Sequence, residues 1–324
     1  MMMKKYFNYD PLKPLLSVNN KALKYFITRD LLNKKVDTIR DLWSLPSAQE
    51  IFKKQQDDGS WKYSTKKMNV QDQKLCNQIE TYRQLGILTE KFGLNNENSM
   101  IRKGVEFLFK FQTDEGDFRG IYGNQYSPNY SAGIIEILIK AGYEKDHRIE
   151  KCFKWLLSVR QNDGGWTIPI RTHNVNWQEV MYSKELLKPI KEKPFSHIVT
   201  GVVLRAFAAH SKYKNSEKAQ KIGELLATRF FKSDKYTDRR SKENWFKVSF
   251  PFWFTDIISA LDSLSLLGFN KVHPNIDLAL ETLKSRQLEN GPWDLKLLKT
   301  KDKNLIYWIN LIICRLYKRF FKEY

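Results

Sequence analysis

Asp256 is the acidic side chain whose sequence surroundings best suit chemistry. It follows the run Pro251-Phe-Trp-Phe-Thr and opens the apolar segment Ile257–Leu267. A carboxyl group enclosed by aromatic rings loses solvation, which raises its pKa and lets it act as a general acid. The ring faces of Trp253 and Phe254 could also stabilise a positive charge that develops in a bound substrate. The alternative is structural, because an aspartate at the start of a helix caps free amide groups.

Other polar and aromatic residues stand at comparable positions, close to the starts of apolar segments. Helix capping or ordinary packing is the alternative to a binding role for each of them. Together with Trp253 and Phe254, the side chains that we predict to contact a substrate are Asp72, Tyr130, His197, Tyr307 and Trp308.

Basic residues are abundant, and the formal net charge of the chain is +19. Such a surface attracts phosphates and anionic lipids, although lysine on every solvated face would produce the same number. Guanidinium groups fit phosphate well, so we predict that Arg239 and Arg240 contact an anionic head group, with solvated loop charge as the alternative. The tail Arg315–Lys322 mixes cations with aromatic residues and indicates peripheral contact with an anionic membrane as an alternative to an ordinary final helix.

Metal and targeting patterns are missing from the sequence. Cys76, Cys152 and Cys314 lie far apart, without a histidine at ligand spacing, and we expect buried thiols rather than a metal site or a disulfide. No cofactor is indicated. The first residues lack the apolar run of a signal peptide, and no apolar run approaches the ~20 residues that span a bilayer. These patterns predict a cytoplasmic protein.

A repeated sequence pattern organises the chain. Each copy has a glutamine, a glycine three or four residues later and an aromatic residue two positions beyond the glycine. We call these copies the Gln–Gly–aromatic marks, and they are Gln55/Gly59/Trp61, Gln112/Gly116/Phe118, Gln161/Gly164/Trp166 and Gln287/Gly291/Trp293. The glycines are 57, 48 and 127 residues apart, so the last gap has room for one decayed mark, which we expect between residues 232 and 251.

Two kinds of helix alternate with the marks. An amphipathic segment precedes each mark, and a segment that is apolar around most of its circumference follows it. The glycine is predicted to be a left-handed C-cap of the preceding helix, with the aromatic residue folded back as a clasp. The predicted outer helices lie near 46–55, 98–111, 147–160, 216–231 and 274–286, and the predicted inner helices near 20–32, 71–88, 128–142, 196–210, 254–268 and 303–320.

This alternation predicts an all-α fold. Six inner and five to six outer helices indicate an α/α toroid, with an open superhelix of helix pairs as the alternative. We predict one toroid domain over residues 20–324, preceded by an N-terminal extension over residues 1–19.

The marks resemble the QW motif of the terpene cyclase and protein prenyltransferase superfamily, whose members are α/α toroids. Gln55/Gly59/Trp61 and Gln287/Gly291/Trp293 match Gln-x3-Gly-x-Trp outright, whereas the second mark has Phe118 and the third has a shorter gap. The chain looks closest to small stand-alone squalene-cyclase-like toroids. The resemblance implies that the marks are structural staples and that the inner helices surround a cavity.

The residues that usually supply chemistry in this superfamily are largely missing. The Asp-x-Asp-Asp acid of class II cyclases, an aspartate-rich magnesium motif and a zinc set of Asp, Cys and His do not occur. Asp256 has the placement of the class II acid, with one carboxylate in place of three. The sequence therefore leaves open whether the protein is an enzyme.

We predict a squalene-cyclase-like or prenyltransferase-like protein that binds or transforms an isoprenoid or other hydrophobic substrate in a central cavity. The alternative is a non-catalytic helical scaffold for a protein or peptide that the sequence does not identify. A nucleic-acid-binding solenoid ranks last, because positive charge is its main support.

Overall fold

Helices dominate the structure, a computed structural model that describes residues 6–63, 73–121, 123–236, 240–298, 300 and 302–321. The helices are α1 (Leu12–Leu16), α2 (Lys21–Phe26), α3 (Pro46–Phe52), α4 (Gln73–Phe92), α5 (Ser99–Phe109), α6 (Pro128–Leu138), α7 (His147–Ser158), α8 (Trp177–Val180), α9 (His197–Ala209), α10 (Glu217–Ala227), α11 (Ile257–Leu266), α12 (Pro274–Ser285) and α13 (Leu305–Phe320). Helices α2 and α6 continue as single π turns, Ile27–Leu31 and Ile139–Tyr143. Two short strands, β1 (Lys247–Val248) and β2 (Lys296–Leu297), pair in parallel. The predicted all-α fold class is confirmed.

The chain divides into two compact units. The central unit is Thr38–Ser211, and the terminal unit combines Met1–Asp37 with Lys212–Tyr324. In both units the predicted inner and outer helices are confirmed, with ends that differ from the prediction by a few residues.

The central unit shows the α/α arrangement that the sequence predicts. Its inner helices α4, α6 and α9 pack in sequence order, with α5 against α4 and α7 against α6. Helix α9 is buried along almost its whole length, whereas α5 and α7 each bury one face and expose the opposite face. The hydrophobic periodicity of each segment therefore decides which layer its helix occupies.

The terminal unit pairs the inner helices α11 and α13, and the π turn after α2 packs against α13. The Tyr317 hydroxyl of α13 donates a 2.6 Å hydrogen bond to the Leu280 carbonyl of the outer helix α12. The segment predicted as an N-terminal extension packs, from residue 6 onward, within this unit. Phe7 lies edge-on to Trp293, with ring centres 5.7 Å apart.

The first, second and fourth Gln–Gly–aromatic marks each form a miniature hairpin. In the first mark, Gln55 and Trp61 pair as an antiparallel bridge, and Gly59 turns the chain with a φ of +91°. The predicted left-handed glycine is confirmed, but its predicted role as a helix C-cap is wrong, because α3 ends at Phe52 and the glycine closes the hairpin. The aromatic clasp is confirmed, since the buried Trp61 donates its indole N–H to the Ile51 carbonyl at 2.8 Å.

The glutamine side chain ties each hairpin to the segment beside it. Gln55 Nε2 donates to the Gly59 carbonyl and to the Met100 carbonyl of α5, each at 2.9 Å. Gln112 Nε2 repeats this pattern with Gly116 at 2.9 Å and with Arg148 of α7 at 2.8 Å. In the central unit, the glutamine side-chain amide therefore holds its hairpin against the next outer helix.

A hydroxyl from the following inner helix completes the connection. The backbone N–H groups of Trp61, Phe118 and Trp166 donate to hydroxyl oxygens at 2.9 to 3.0 Å, and the acceptors are Thr81, Ser131 and Thr200 of α4, α6 and α9. These partners are not predictable from the sequence pattern, because one Ser or Thr in an apolar helix carries no periodic signal.

The later marks vary this scheme. Gln161 Nε2 donates instead to two carbonyls of the long loop that precedes α9, those of Ile190 and Lys193. Gln287 Nε2 donates to the Gly291 and Tyr9 carbonyls, both at 3.0 Å, so the N-terminal segment stands where an outer helix would lie.

The decayed mark is represented by Trp245, which is 2% exposed and lies between the predicted bounds. Its indole N–H donates to the Lys232 carbonyl at 3.0 Å, just beyond the end of α10. This is the same kind of bond that Trp61 and Trp166 make to their outer helices.

Gly116→Ala tests the packing demand that a mark places on its glycine. A Cβ atom at Gly116 would lie 2.6 Å from the Lys151 carbonyl oxygen of α7, and its φ is +107°. Gly268 is the matched control, because its φ is +82° but a Cβ there would meet nothing within 4 Å. We expect Gly268→Ala to lower the free energy of unfolding by about 1–2 kcal/mol from backbone strain alone. Gly116→Ala should cost roughly 1–3 kcal/mol more through the collision, as measured by urea denaturation. Equal losses would show that the close approach to α7 is unimportant.

Candidate functional site

Asp256 is the N-cap of α11 and is 1% exposed. Its Oδ1 accepts hydrogen bonds from the backbone N–H groups of Ile258 and Ser259, both at 2.9 Å. The Ser259 hydroxyl accepts in return from the Asp256 N–H at 2.9 Å, which completes a capping box. The structural alternative left open by the sequence is therefore present, and it fixes the carboxylate in one orientation.

The segment before Asp256 is held by its own hydrogen bonds and by stacking on α13. The Ser249 hydroxyl donates to the Pro251 carbonyl at 3.1 Å. The Phe250 ring stacks on Trp308, with centres 5.6 Å apart and planes inclined by 28°. The Phe26 ring also lies against Trp308, with ring centres 5.9 Å apart. The start of α13 thus lies against the segment that leads into α11.

The aromatic residues just before Asp256 and in the first turn of α13 fall into two groups by exposure. Phe252 and Trp308 are buried, at 4% and 2% exposure. Trp253, Phe254 and Tyr307 are only partly buried. Of the side chains predicted to contact a substrate in this unit, Trp308 is thus a core residue, whereas the partly exposed three retain surface that a ligand could cover.

The other described residues that were predicted to contact a substrate lie at the starts of inner helices of the central unit. His197 is 3% exposed in the first turn of α9, directly after the capping residue Ser196. Tyr130 lies in the first turn of α6 and is partly exposed. The Thr200 hydroxyl, three residues after His197 in α9, accepts from the Trp166 backbone N–H and donates to the Trp166 carbonyl.

Two predicted residues, Asp72 and Arg239, lie outside the described residues. Arg240 is exposed, and its carbonyl accepts a 2.9 Å hydrogen bond from the Asp234 N–H.

A buried ionic network joins the inner helices of the central unit, and the sequence analysis missed it. Arg205 of α9 donates from Nε to Glu136 Oε2 of α6 at 2.8 Å, and both side chains are 3% exposed. Lys140 donates to Glu136 Oε1 at 2.8 Å and also to Glu90 of α4. Burial alone would raise the pKa of Glu136, but the positive charges of Arg205 and Lys140 outweigh it and lower that pKa. The sequence signal that could have predicted the network is a charged residue inside each of two very apolar helices, Glu136 in α6 and Arg205 in α9.

This network has a structural role. Each charge lies against an opposite charge, and removal of one member would leave another buried without compensation. It orients α4, α6 and α9 relative to one another.

A pocket of about 590 Å³ lies beside the end of α7. It contains Tyr126, whose hydroxyl donates to Glu115 Oε2 at 2.6 Å. Burial and the adjacent Glu115 raise the pKa of Tyr126 to about 12. The other lining residues include Lys188, Lys191 and Glu192, so the walls carry charges of both signs and suit a hydrocarbon poorly.

Within the described ranges, His, Cys, Asp and Glu side chains do not assemble into a group that could hold a metal ion. No described helix is long and apolar enough to cross a bilayer. Cys152 and Cys314 are buried as predicted, and burial raises the pKa of the Cys152 thiol well above its ordinary value. Cys76 is partly exposed, so its prediction as a buried thiol is wrong.

Comparisons with known proteins yield one family match. Residues 77–184 match the squalene-hopene cyclase C-terminal domain. No curated protein matches the chain. A solved structure described as a novel alpha-amylase from Clostridium perfringens is similar at 13% identity and a TM-score of 0.43, over 88% of this chain and 84% of that chain. This level of similarity carries no argument about activity.

The matched stretch begins in α4, ends after α8 and contains the second and third marks. The marks by themselves predicted a resemblance to the squalene-cyclase-like superfamily. The family match confirms that resemblance over residues 77–184.

Proposed function

We propose that the protein binds an isoprenoid or another hydrophobic molecule where α11 and α13 begin. The observation that carries the proposal is the partial exposure of Trp253, Phe254 and Tyr307 beside a buried aromatic cluster. Apolar surface that leaves water on binding contributes roughly 25 cal/mol per Å², so three large rings provide a substantial driving force.

The ligand class comes from the squalene-hopene cyclase match over residues 77–184. Squalene is a long unsaturated hydrocarbon, and aromatic faces suit both such a chain and a cation formed from it. In the central unit, Tyr130 and His197 at the starts of α6 and α9 are proposed to contact a hydrophobic ligand separately from the terminal-unit site. Trp308 supports the terminal-unit site as a core residue, and Arg239 and Arg240 are the proposed contacts for an anionic head group in that unit. Asp72 is proposed as a ligand contact of the central unit.

Asp256 is the proposed general acid, in competition with its capping role. A general acid must donate a proton, whereas the two N–H groups on Oδ1 complement a negative charge. Catalysis by Asp256 would therefore require a protonated carboxyl group whose other oxygen faces the ligand. The two roles can be separated by substitution.

Trp253→Leu and Tyr307→Leu test the binding site. Each change removes one ring and should weaken the binding of radiolabelled squalene by roughly 5- to 30-fold, corresponding to about 1–2 kcal/mol. Trp177→Leu is the matched control, because Trp177 is a tryptophan of α8 in the central unit with 37% exposure. Squalene binding should be unchanged in this control. Unchanged binding in Trp253→Leu and Tyr307→Leu, or an equal loss in all three variants, would contradict the proposed site.

Asp256→Asn and Asp256→Ala separate capping from acid catalysis. Asparagine caps a helix about as well as aspartate, so Asp256→Asn should leave the free energy of unfolding nearly unchanged, whereas Asp256→Ala should lower it by about 1 kcal/mol. If Asp256 is the acid, both variants lose cyclised product from squalene by roughly 100-fold or more, as measured by gas chromatography with mass spectrometry. Wild-type turnover in Asp256→Asn would restrict Asp256 to the cap.

A further inference from the structure

A second pocket, of about 490 Å³, lies in the terminal unit at the far end of α13 from Tyr307. It forms between the π turn that follows α2 and the last turns of α13. Its lining residues are Arg29, Asp30, Asn33, Arg315, Lys318 and Arg319. Four of these six side chains are cations, and one is a carboxylate.

Asp30 is shared by three of the cations. Arg29 Nε donates to Asp30 Oδ1 at 2.5 Å, and Arg315 donates to Asp30 Oδ2. Lys318 Nζ donates to the Asp30 backbone carbonyl at 2.5 Å and to Asn33 Oδ1 at 2.6 Å. The Asp30 carboxylate therefore faces two guanidinium groups, and its backbone carbonyl accepts from one ammonium group.

The fourth cation has its own partners. Arg319 pairs with Asp262 of α11 and donates from Nε to the Ser265 hydroxyl at 2.7 Å. Even with Asp262 included, the cluster has four positive and two negative side chains. The pocket therefore carries an excess of positive charge.

Arg315 has a donor that the protein does not use. Its Nε is buried and has no hydrogen-bond acceptor among the described residues. Burial and the adjacent positive charge of Arg29 both lower the pKa of Arg315, although Asp30 opposes them. A buried guanidinium N–H without an acceptor is costly, and an anion in the pocket would relieve that cost.

Stacking preorganises the two guanidinium groups. Arg29 and Arg315 both lie over the Phe26 ring, at 4.9 and 5.2 Å from its centre.

Attraction of cations to the end of a helix explains the presence of Lys318 and Arg319, which lie in the last turn of α13. It does not explain the unused Nε of Arg315 or the stacked Arg29. These features fit a ligand with several oxygen acceptors.

We propose that this pocket binds a phosphate group. A phosphate presents the tetrahedral set of oxygens that forked guanidinium donors match, and its charge balances the excess of cations. The group belongs either to a soluble phosphate compound or to a phospholipid head group. The site is separate from the hydrophobic site proposed above and does not depend on it.

Isothermal titration calorimetry of the full chain with inorganic pyrophosphate, in chloride buffer of constant ionic strength, tests the proposal. Arg29→Gln and Lys318→Gln should each weaken pyrophosphate binding by roughly tenfold, because each removes a charged donor. Lys221→Gln is the matched control: it removes the same charge from an exposed lysine of the same unit, which pairs with Glu217 at 2.6 Å. Circular dichroism of each variant establishes that it is folded, and Arg29→Lys replaces Arg29→Gln if the latter unfolds.

Vesicles of phosphatidylcholine with and without phosphatidylglycerol distinguish the two phosphate sources. Sedimentation only with phosphatidylglycerol, lost in Arg29→Gln and Lys318→Gln but kept in Lys221→Gln, would identify a lipid head group. Pyrophosphate binding without vesicle binding would identify a soluble phosphate compound. The proposal is overturned if neither probe binds, or if Lys221→Gln loses as much affinity as the pocket variants.

Discussion

The fold depends on the hydrogen bonds that the glutamine side-chain amide makes in each mark. In the central unit, each of Gln55 and Gln112 uses one Nε2 to bind a carbonyl of its own hairpin and a carbonyl of the next outer helix. The hairpin must come close for this contact, which is why its turn residue is a glycine. The hydroxyls of Thr81 and Ser131 then attach the same hairpins to inner helices. Two outer helices and one inner helix are thus joined at each of these marks.

The sequence predicted the helices and their layers because hydrophobic periodicity is a local property. It misassigned the glycine role, since a hairpin turn and a helix C-cap both require positive φ. It did not predict the Thr81 contact or the pair Glu136–Arg205, because the spacing of nearby residues does not reveal a partner that is distant in sequence. For Asp256, the sequence identified the position and both competing roles, and the capping bonds of one role are present.

Helix α13 positions both proposed sites of the terminal unit. Tyr307 stands in its first turn among aromatic residues, and Lys318 stands in its last turn among cations. At a rise of 1.5 Å per residue these positions are about 17 Å apart along the axis. An apolar ligand and a phosphate group can therefore occupy opposite ends of one buried helix. The marks themselves contribute none of these side chains, so their role is to hold the helices that do.

Mass spectrometry of small molecules extracted from the purified, folded protein tests the central claim most directly. The aromatic residues at the starts of α11 and α13 should retain a hydrophobic molecule of isoprenoid type from the cells that produced the protein. The same molecule should be reduced or missing in Trp253→Leu protein and retained in Trp177→Leu protein. Recovery of no such molecule from wild-type protein, or of equal amounts from both variants, would contradict the account.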